Sequence, residues 1–237
     1  MKVNPLIGVL NPRELTEFKN CIDKITNVDK LFIKYFTPES DAYYSLRLWF
    51  LMHPEYSHLI ICPDDITFTP EHINMLIEGI EKFNFPVLTG YANLDLSNPD
   101  LYSVGLEGEY IERSHRQYKL LTKAKMFNPD GTCKLGRYFQ CKWAGFGFTT
   151  IRRDIVERIP FEDDARFNGM RYGTACCVDT VFSYQCNIKG IPMFCDSKVK
   201  ITHLREGKRS LMRSFYAGIK PREIILEKEG KKIYEKR

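Results

Sequence analysis

Leu59-Ile60-Ile61-Cys62-Pro63-Asp64-Asp65-Ile66 is an apolar run that stops in two adjacent carboxylates. Residues 59–62 read as a buried strand, short and continuously apolar. Asp64 and Asp65 then stand where that strand emerges at the edge of a sheet. Open α/β folds place their ligands there, beyond the carboxyl ends of the strands. Two neighbouring acids repel each other unless a cation or a shared proton neutralises them. A hard divalent metal bridging to phosphates is the usual occupant. Pro-Asp-Asp is also good turn chemistry, so the tripeptide alone leaves both readings open.

Outward from this stretch, strand and helix signals alternate. Pro5–Leu10 is an apolar run, and Asn11-Pro12 reads as an N-cap with proline at the first helical position. Leu15, Phe18, Ile22 and Ile25 follow at helical spacing. Lys30–Phe36 is aromatic and β-branched, which predicts a second strand. Ser40 is placed to cap a helix over Asp41–Met52 whose Tyr44, Leu48 and Leu51 share one face. Thr69-Pro70 caps the next helix, with Ile73, Leu76, Ile77 and Ile80 on one stripe. Phe85–Gly90 is a further strand. Such β-α repeats predict an α/β fold: a Rossmann-like mixed, mostly parallel sheet flanked by helices.

Residues 91–142 are polar and rich in turn signals, and read as loops and a hairpin laid over the sheet. After them the sequence predicts a strand at Trp143–Thr150 and a helix at Ile151–Ile159 stopped by Pro160. It then predicts a helix at Asp179–Lys189 ended by Gly190, and two short strands at Pro192–Asp196 and Lys198–His203. One domain over 1–204 is expected, followed by a basic segment, 205–237, that packs on it or extends from it.

The 237 residues carry a net charge of +5, with 43% hydrophobic and 27% charged side chains, as in an ordinary soluble globular protein. From Arg205 to Arg237 eleven Lys/Arg face five Glu, a net +6, so residues 1–204 are close to neutral. That segment suits an anionic lipid surface or a diphosphate. Nucleic acid is not expected, because no reading motif accompanies the charge. Glu227–Arg237 reads as a solvated tail. The eight cysteines show no metal-like spacing and several sit in apolar runs, which predicts a reduced, cytoplasmic protein; only Cys133 and Cys141 invite a disulfide. No apolar run reaches the length of a membrane span, and no signal peptide is seen.

Four motifs in order carry a resemblance: Ile60-Ile61-Cys62-Pro63-Asp64-Asp65-Ile66, then Trp143-Ala144-Gly145-Phe146-Gly147-Phe148-Thr149-Thr150-Ile151-Arg152-Arg153, then Cys177-Val178-Asp179-Thr180-Val181-Phe182, then Ile188-Lys189-Gly190-Ile191-Pro192 leading to Ile201-Thr202-His203-Leu204. Together they resemble a GT-A-fold glycosyltransferase of the large family-2-like group, a nucleotide-diphospho-sugar transferase fold, over about residues 3–204. The resemblance implies a DxD site holding Mn²⁺ or Mg²⁺ on a nucleotide-diphosphate sugar. Asp65 takes its last position and Asp64 its middle one, while Pro63 removes the first carboxylate. It implies that Asp179 is the base that deprotonates the acceptor hydroxyl, with Val178 where the family has a glutamate. It places a further metal ligand at His203, and imidazole suits Mn²⁺ more than Mg²⁺.

The glycines of the 143–150 segment suggest close approach of a ligand, and the family's acceptor and donor sugars border it. Trp143 is a candidate for stacking on a sugar ring, or a core aromatic. Arg205, Lys208 and Arg209 are candidates for clamping the diphosphate. His53, His58, His72 and His115 read as structural or surface residues. No acid follows strand two directly, so Glu39 or Asp41 would have to hold the base or ribose. The expected partners are a nucleotide-sugar donor and a glycan, protein or lipid-linked acceptor, with peripheral membrane contact through 205–237. Two rival readings are a sugar nucleotidyltransferase and a non-catalytic nucleotide-sugar or glycan-binding protein on a decayed transferase scaffold. The first would want a Gly-rich basic loop after the first strand, where Gly8 and Arg13 offer little.

Overall fold

The computed structural model describes residues 3–10, 15–34, 39–93, 100–108, 118–162, 178–204, 223–228 and 230–235. The chain opens with β1 (Pro5–Leu10), α1 (Thr16–Ile22), β2 (Asp29–Lys34), α2 (Glu39–Met52) and β3 (His58–Pro63). It continues with β4 (Ile66–Thr67), α3 (Pro70–Phe83) and β5 (Val87–Ala92). Then come β6 (Leu101–Gly108), β7 (Tyr118–Thr122), α4 (Lys123–Met126), β8 (Tyr138–Cys141), β9 (Trp143–Ala144), β10 (Thr149–Arg152) and α5 (Arg153–Arg158). The last elements are α6 (Val178–Ile188), β11 (Met193–His203), β12 (Glu223–Lys228) and β13 (Lys231–Glu235).

Among the described residues the main sheet runs β13-β12-β2-β1-β3-β10-β5-β11-β4, with β8 on β11. β1 pairs parallel with β2 and β3, and β11 parallel with β5; β10 lies antiparallel between β3 and β5. Thus β1, β2, β3, β5 and β11 point the same way, and their carboxyl ends share one edge. The sheet is a mixed one in an α/β fold, as expected. One face is covered by α2, α5 and α6, and the other by α1 and α3. β1 runs beneath α2 at Gly8, where a Cβ would stand 2.5 Å from Leu46 Cδ1; glycine lets the helix seat directly on the strand. Gly8 is therefore a packing residue inside β1, not part of a phosphate loop.

Several expectations are corrected. Asn11 and Pro12 lie outside the described residues, and the described α1 begins at Thr16 with the extended Leu15 in the cap position and Phe18 and Ile22 buried. α2 begins at Glu39 and buries Ala42, Tyr43, Leu46, Trp49 and Phe50, whereas Tyr44 is 50% exposed and Leu48 39%. The helix is apolar nearly all round, so two stripes satisfied the helical period and only packing chose between them. Residues 143–150 are two strands, not one. In a continuous strand Phe146 and Phe148 would share a face. Here Phe146 packs on Phe182 at 5.1 Å on the α6 side, while Phe148, at φ 76°, packs on Phe68 at 4.7 Å on the other side. The backbone turns over between them.

β11 joins the two predicted short strands through an irregularity between Cys195 and Lys200. Glu227–Glu235 is not a solvated tail: β12 adds antiparallel to the free edge of β2 and β13 folds back on it. Ile224 and Leu226 enter the core under α2 while Ile225 enters the opposite layer, a clean period-two alternation. Cys133 and Cys141 are both free thiols. Their pairing is overturned by position, since Cys141 lies buried in β8 against β11.

Candidate active site

β1 has β2 on one side and β3 on the other, so the chain's direction of travel across the sheet reverses beside β1. At such a point the connections after neighbouring strands diverge and leave a crevice. Asp64 sits there: its N–H donates to Leu10 O at 3.0 Å, extending the β1–β3 ladder by one rung past Pro63. Asp64 is fully buried and Asp65 nearly so. The next two residues form β4, whose Ile66 and Thr67 pair with His203 and Thr202 at the end of β11. This short ladder brings the second acid to the histidine, with Asp65 Oδ2 3.4 Å from His203 Nε2. Residues more than a hundred apart in sequence thus meet at the carboxyl edge of the sheet.

Asp179 reaches the same edge by another route. β10 starts at Thr149, opposite Ile61 of β3 and Thr89 of β5, so the 145–148 turn that precedes it rides on that edge. At one end of the turn, Gly145 Cα underlies Asp179; a Cβ added there would stand 3.7 Å from Oδ2. At the other end, a Cβ on Gly147 would be 3.5 Å from Ile201 of β11, which ends at His203, and 4.0 Å from Ile66 of β4, which directly follows Asp65. One turn therefore separates the Asp179 carboxyl from the Asp65–His203 pair.

Asp179 lies in the first turn of α6 and is half-buried. Burial pushes its carboxyl up to about 6, although the backbone N–H and hydroxyl of Thr180 and the backbone N–H of Phe146 pull the other way. Thr180 N donates to Oδ1 at 2.7 Å and Thr180 Oγ1 lies 3.4 Å from the same oxygen. A carboxyl that titrates just below neutrality is suited to accept a proton from a hydroxyl. Trp143, a candidate either for stacking on a sugar ring or for the core, is 9% exposed, and its indole Nε1 donates to Thr180 Oγ1 at 3.2 Å. Its ring is a wall of the site rather than an open platform.

The 145–148 turn is held from several sides. Gly145 N–H donates to Ser103 O, Thr149 Oγ1 donates to Gly145 O at 2.9 Å, and Gly90 N–H donates to Phe148 O. β9 is tied to α6 through Ser183, which bonds both the N–H and the carbonyl of Ala144. Thr180, Ser183 and the Phe146 N–H are parts of the site that sequence reasoning missed. The dipeptide Asp179-Thr180 at a helix start was the available signal for Thr180; nothing local marks the other two.

Arg205, Lys208 and Arg209 lie outside the described residues, as does His115. Of the two candidates for the base or ribose, Asp41 is exposed on the first turn of α2, and the Glu39 side chain lies outside the described residues. His53 stacks on Trp49 with 3.6 Å between rings, His72 accepts from the Thr69 N–H, and His58 is buried in β3. Among the described residues no three His, Cys, Asp or Glu side chains gather into a metal cage, and no helix is long and apolar enough to cross a membrane.

No known protein family and no curated protein matches the sequence. Solved structures do resemble it. A197 from STIV is 16% identical, with 85% of each chain covered and a TM-score of 0.55, which shows a shared fold. A CMP:2-keto-3-deoxy-manno-octonic acid synthetase complexed with CTP is 10% identical over 92% of this chain and 98% of its own, with a TM-score of 0.43. A protein described as a glucose-1-phosphate thymidylyltransferase from Bacillus anthracis, in complex with a sucrose, is 10% identical over 91% and 95%, with a TM-score of 0.37. The last two superpose too loosely to bear on function.

Proposed function

We propose that this chain is a glycosyltransferase that moves a sugar from a nucleotide-diphosphate donor to an acceptor hydroxyl. The observation that carries the reading is the carboxyl of Asp179, raised to about 6 and set across a single turn from Asp65 and His203 at the carboxyl edge of the sheet. A group transfer with a diphosphate leaving group needs a base on one side of the reacting carbon and charge neutralisation on the other. In the proposed step the acceptor hydroxyl gives its proton to Asp179 as its oxygen bonds to the anomeric carbon. The bond from that carbon to the diphosphate breaks in line, the nucleoside diphosphate leaves, and the configuration inverts.

The Asp65–His203 pair also suits a divalent ion: one carboxylate and one imidazole 3.4 Å apart match a site whose remaining ligands are phosphate oxygens and water. Asp65 and His203 would hold Mn²⁺ or Mg²⁺, which would supply charge neutralisation at the leaving diphosphate. The 91–142 segment, through β6 and β7, would form the acceptor side.

The test is incubation with nucleotide-diphosphate sugars and Mn²⁺, with and without candidate glycan or lipid-linked acceptors. Release of a nucleoside diphosphate, lost in Asp179→Asn and in Asp65→Ala, is the expected result. Pyrophosphate release from a nucleoside triphosphate and a sugar phosphate would make the chain a nucleotidyltransferase instead. Thermal stabilisation by nucleotide sugars with no turnover in any combination would make it a binding protein.

A further inference from the structure

The proposed base has two oxygens with unequal surroundings. Oδ1 accepts from Thr180 N at 2.7 Å and is 3.4 Å from Thr180 Oγ1; Oδ2 faces Gly145 Cα, and the backbone N–H groups of Phe146 and Asp179 also reach the carboxyl. The Thr180 hydroxyl is itself engaged by the Trp143 indole at 3.2 Å. An indole N–H can only donate, so Thr180 Oγ1 must be its acceptor. The hydroxyl's one proton is then left to point at Asp179 Oδ1. The direction of the whole relay is set by Trp143.

We infer that Trp143 and Thr180 are positioning residues for the proposed base: they hold Oδ1 of Asp179 so that Oδ2, over Gly145, is the oxygen that takes the acceptor's proton. The inference rests on the glycosyltransferase reading and deepens it. Gly145 is consistent with this division of labour. Its φ is not in the left-handed region, and a Cβ there meets Ser103, Trp143 and Asp179 only at 3.6–3.7 Å, so neither backbone nor packing demands glycine. What a side chain would fill is the space over Oδ2.

Among the described residues the groups facing the Asp179 carboxyl are its own backbone N–H, the Thr180 N–H and hydroxyl, the Phe146 N–H and Gly145, none of which titrates between pH 4 and 8. Its midpoint therefore reports these hydrogen bonds directly. The experiment is a ¹³C titration of the Asp179 carboxyl by NMR in the full chain, assigned with Asp179→Asn, for the wild type, Trp143→Phe, Thr180→Val and Thr180→Ser. Trp143→Phe keeps an aromatic ring, though a smaller one, and removes the donor; Thr180→Val keeps the shape and removes the hydroxyl. Thr180→Val should raise the midpoint by roughly half a unit, because an ionised carboxylate that loses a donor is disfavoured. Trp143→Phe should raise it by less, because the hydroxyl remains but is no longer held with its proton on Oδ1. Thr180→Ser should restore it.

With a nucleotide-sugar donor that turns over, the same two variants should lower kcat about tenfold or more at unchanged donor KM, with the acid limb of the profile moved upward. An unmoved midpoint in both variants overturns the relay whatever the activity does. A midpoint that moves as expected while Asp179→Asn keeps full turnover overturns the catalytic reading instead, and with it the assignment of Oδ2.

Discussion

At the residue scale, Asp179 and His58 have opposite effects on stability, and the signs can be worked out. Asp179 is raised from 3.8 to about 6 by burial, so between these values the folded state holds the proton more tightly than the unfolded chain. The carboxyl thus costs stability above pH 6 and the cost fades as pH falls, by about 1–3 kcal/mol in all. Asp179→Asn should raise the melting temperature at pH 7.5 while abolishing transfer, and a calorimetric scan with an activity assay checks both. His58 is lowered from 6.5 to about 4, mainly by burial and then by Arg152. Its Nε2 is buried with no hydrogen-bond partner among the described residues. The unfolded chain binds its proton first, so stability is intact above pH 6.5 and falls as pH drops toward 4. In wild type the two groups oppose each other between pH 4 and 6. Urea titrations should show a shallow pH slope there, and Asp179→Asn should unmask the steeper loss due to His58.

At the scale of elements, α2 and α5 hold each other's ends. Arg153 at the start of α5 donates to the carbonyls of Phe50, His53 and Tyr56 and lies 4.3 Å over the Phe50 ring. Arg47 of α2 answers with bonds to the carbonyls of Val156 and Glu157. Phe50, Val156 and Glu157 lie in the last turns of their helices, where carbonyls lose the regular helical partner, while His53 and Tyr56 lie in the connection from α2 to β3. Arg153→Met should cost about 2–3 kcal/mol in a denaturant titration, since three carbonyls lose a charged donor. β2 and β12 are joined by Lys30, 4% exposed, which pairs with Glu227 Oε1 at 2.5 Å and donates to Ile25 O. Lys30→Leu alone leaves a carboxylate stranded, at a cost of about 3–5 kcal/mol, whereas Lys30→Leu with Glu227→Leu should recover most of the loss. Equal losses in the single and double variants would show that the pair does not couple.

On the scale of the whole molecule, activity depends on distant segments arriving at one edge. β4 is only two residues long, and its two rungs to β11 are what bring Asp65 to His203. Thr67→Pro removes a backbone donor from that ladder. It should lower donor affinity and metal-dependent turnover tenfold or more while the melting temperature falls by only a few degrees. Isothermal titration with a nucleotide-diphosphate sugar that turns over would read the first effect and calorimetry the second.

The sequence by itself determined the parallel strands and the α3 cap, because short apolar runs and Thr-Pro starts act locally. The run 59–66 placed its acids at the end of β3 with no help from the rest of the chain. The order of the motifs placed Asp179 on the first turn of a helix. Only the tertiary structure decided which stripe of α2 is inside, that Phe146 and Phe148 part to opposite faces, and that Ile224–Leu226 closes the edge of β2. Each of these depends on which surface arrives to be covered, and both choices were equally apolar in one dimension. The setting of the two acids has the same origin. Asp65 meets His203 through a two-rung ladder, and Asp179 titrates near 6 because β9, the 145–148 turn and α6 close around it. Burial and hydrogen bonding at a carboxyl come from neighbours far away in the chain.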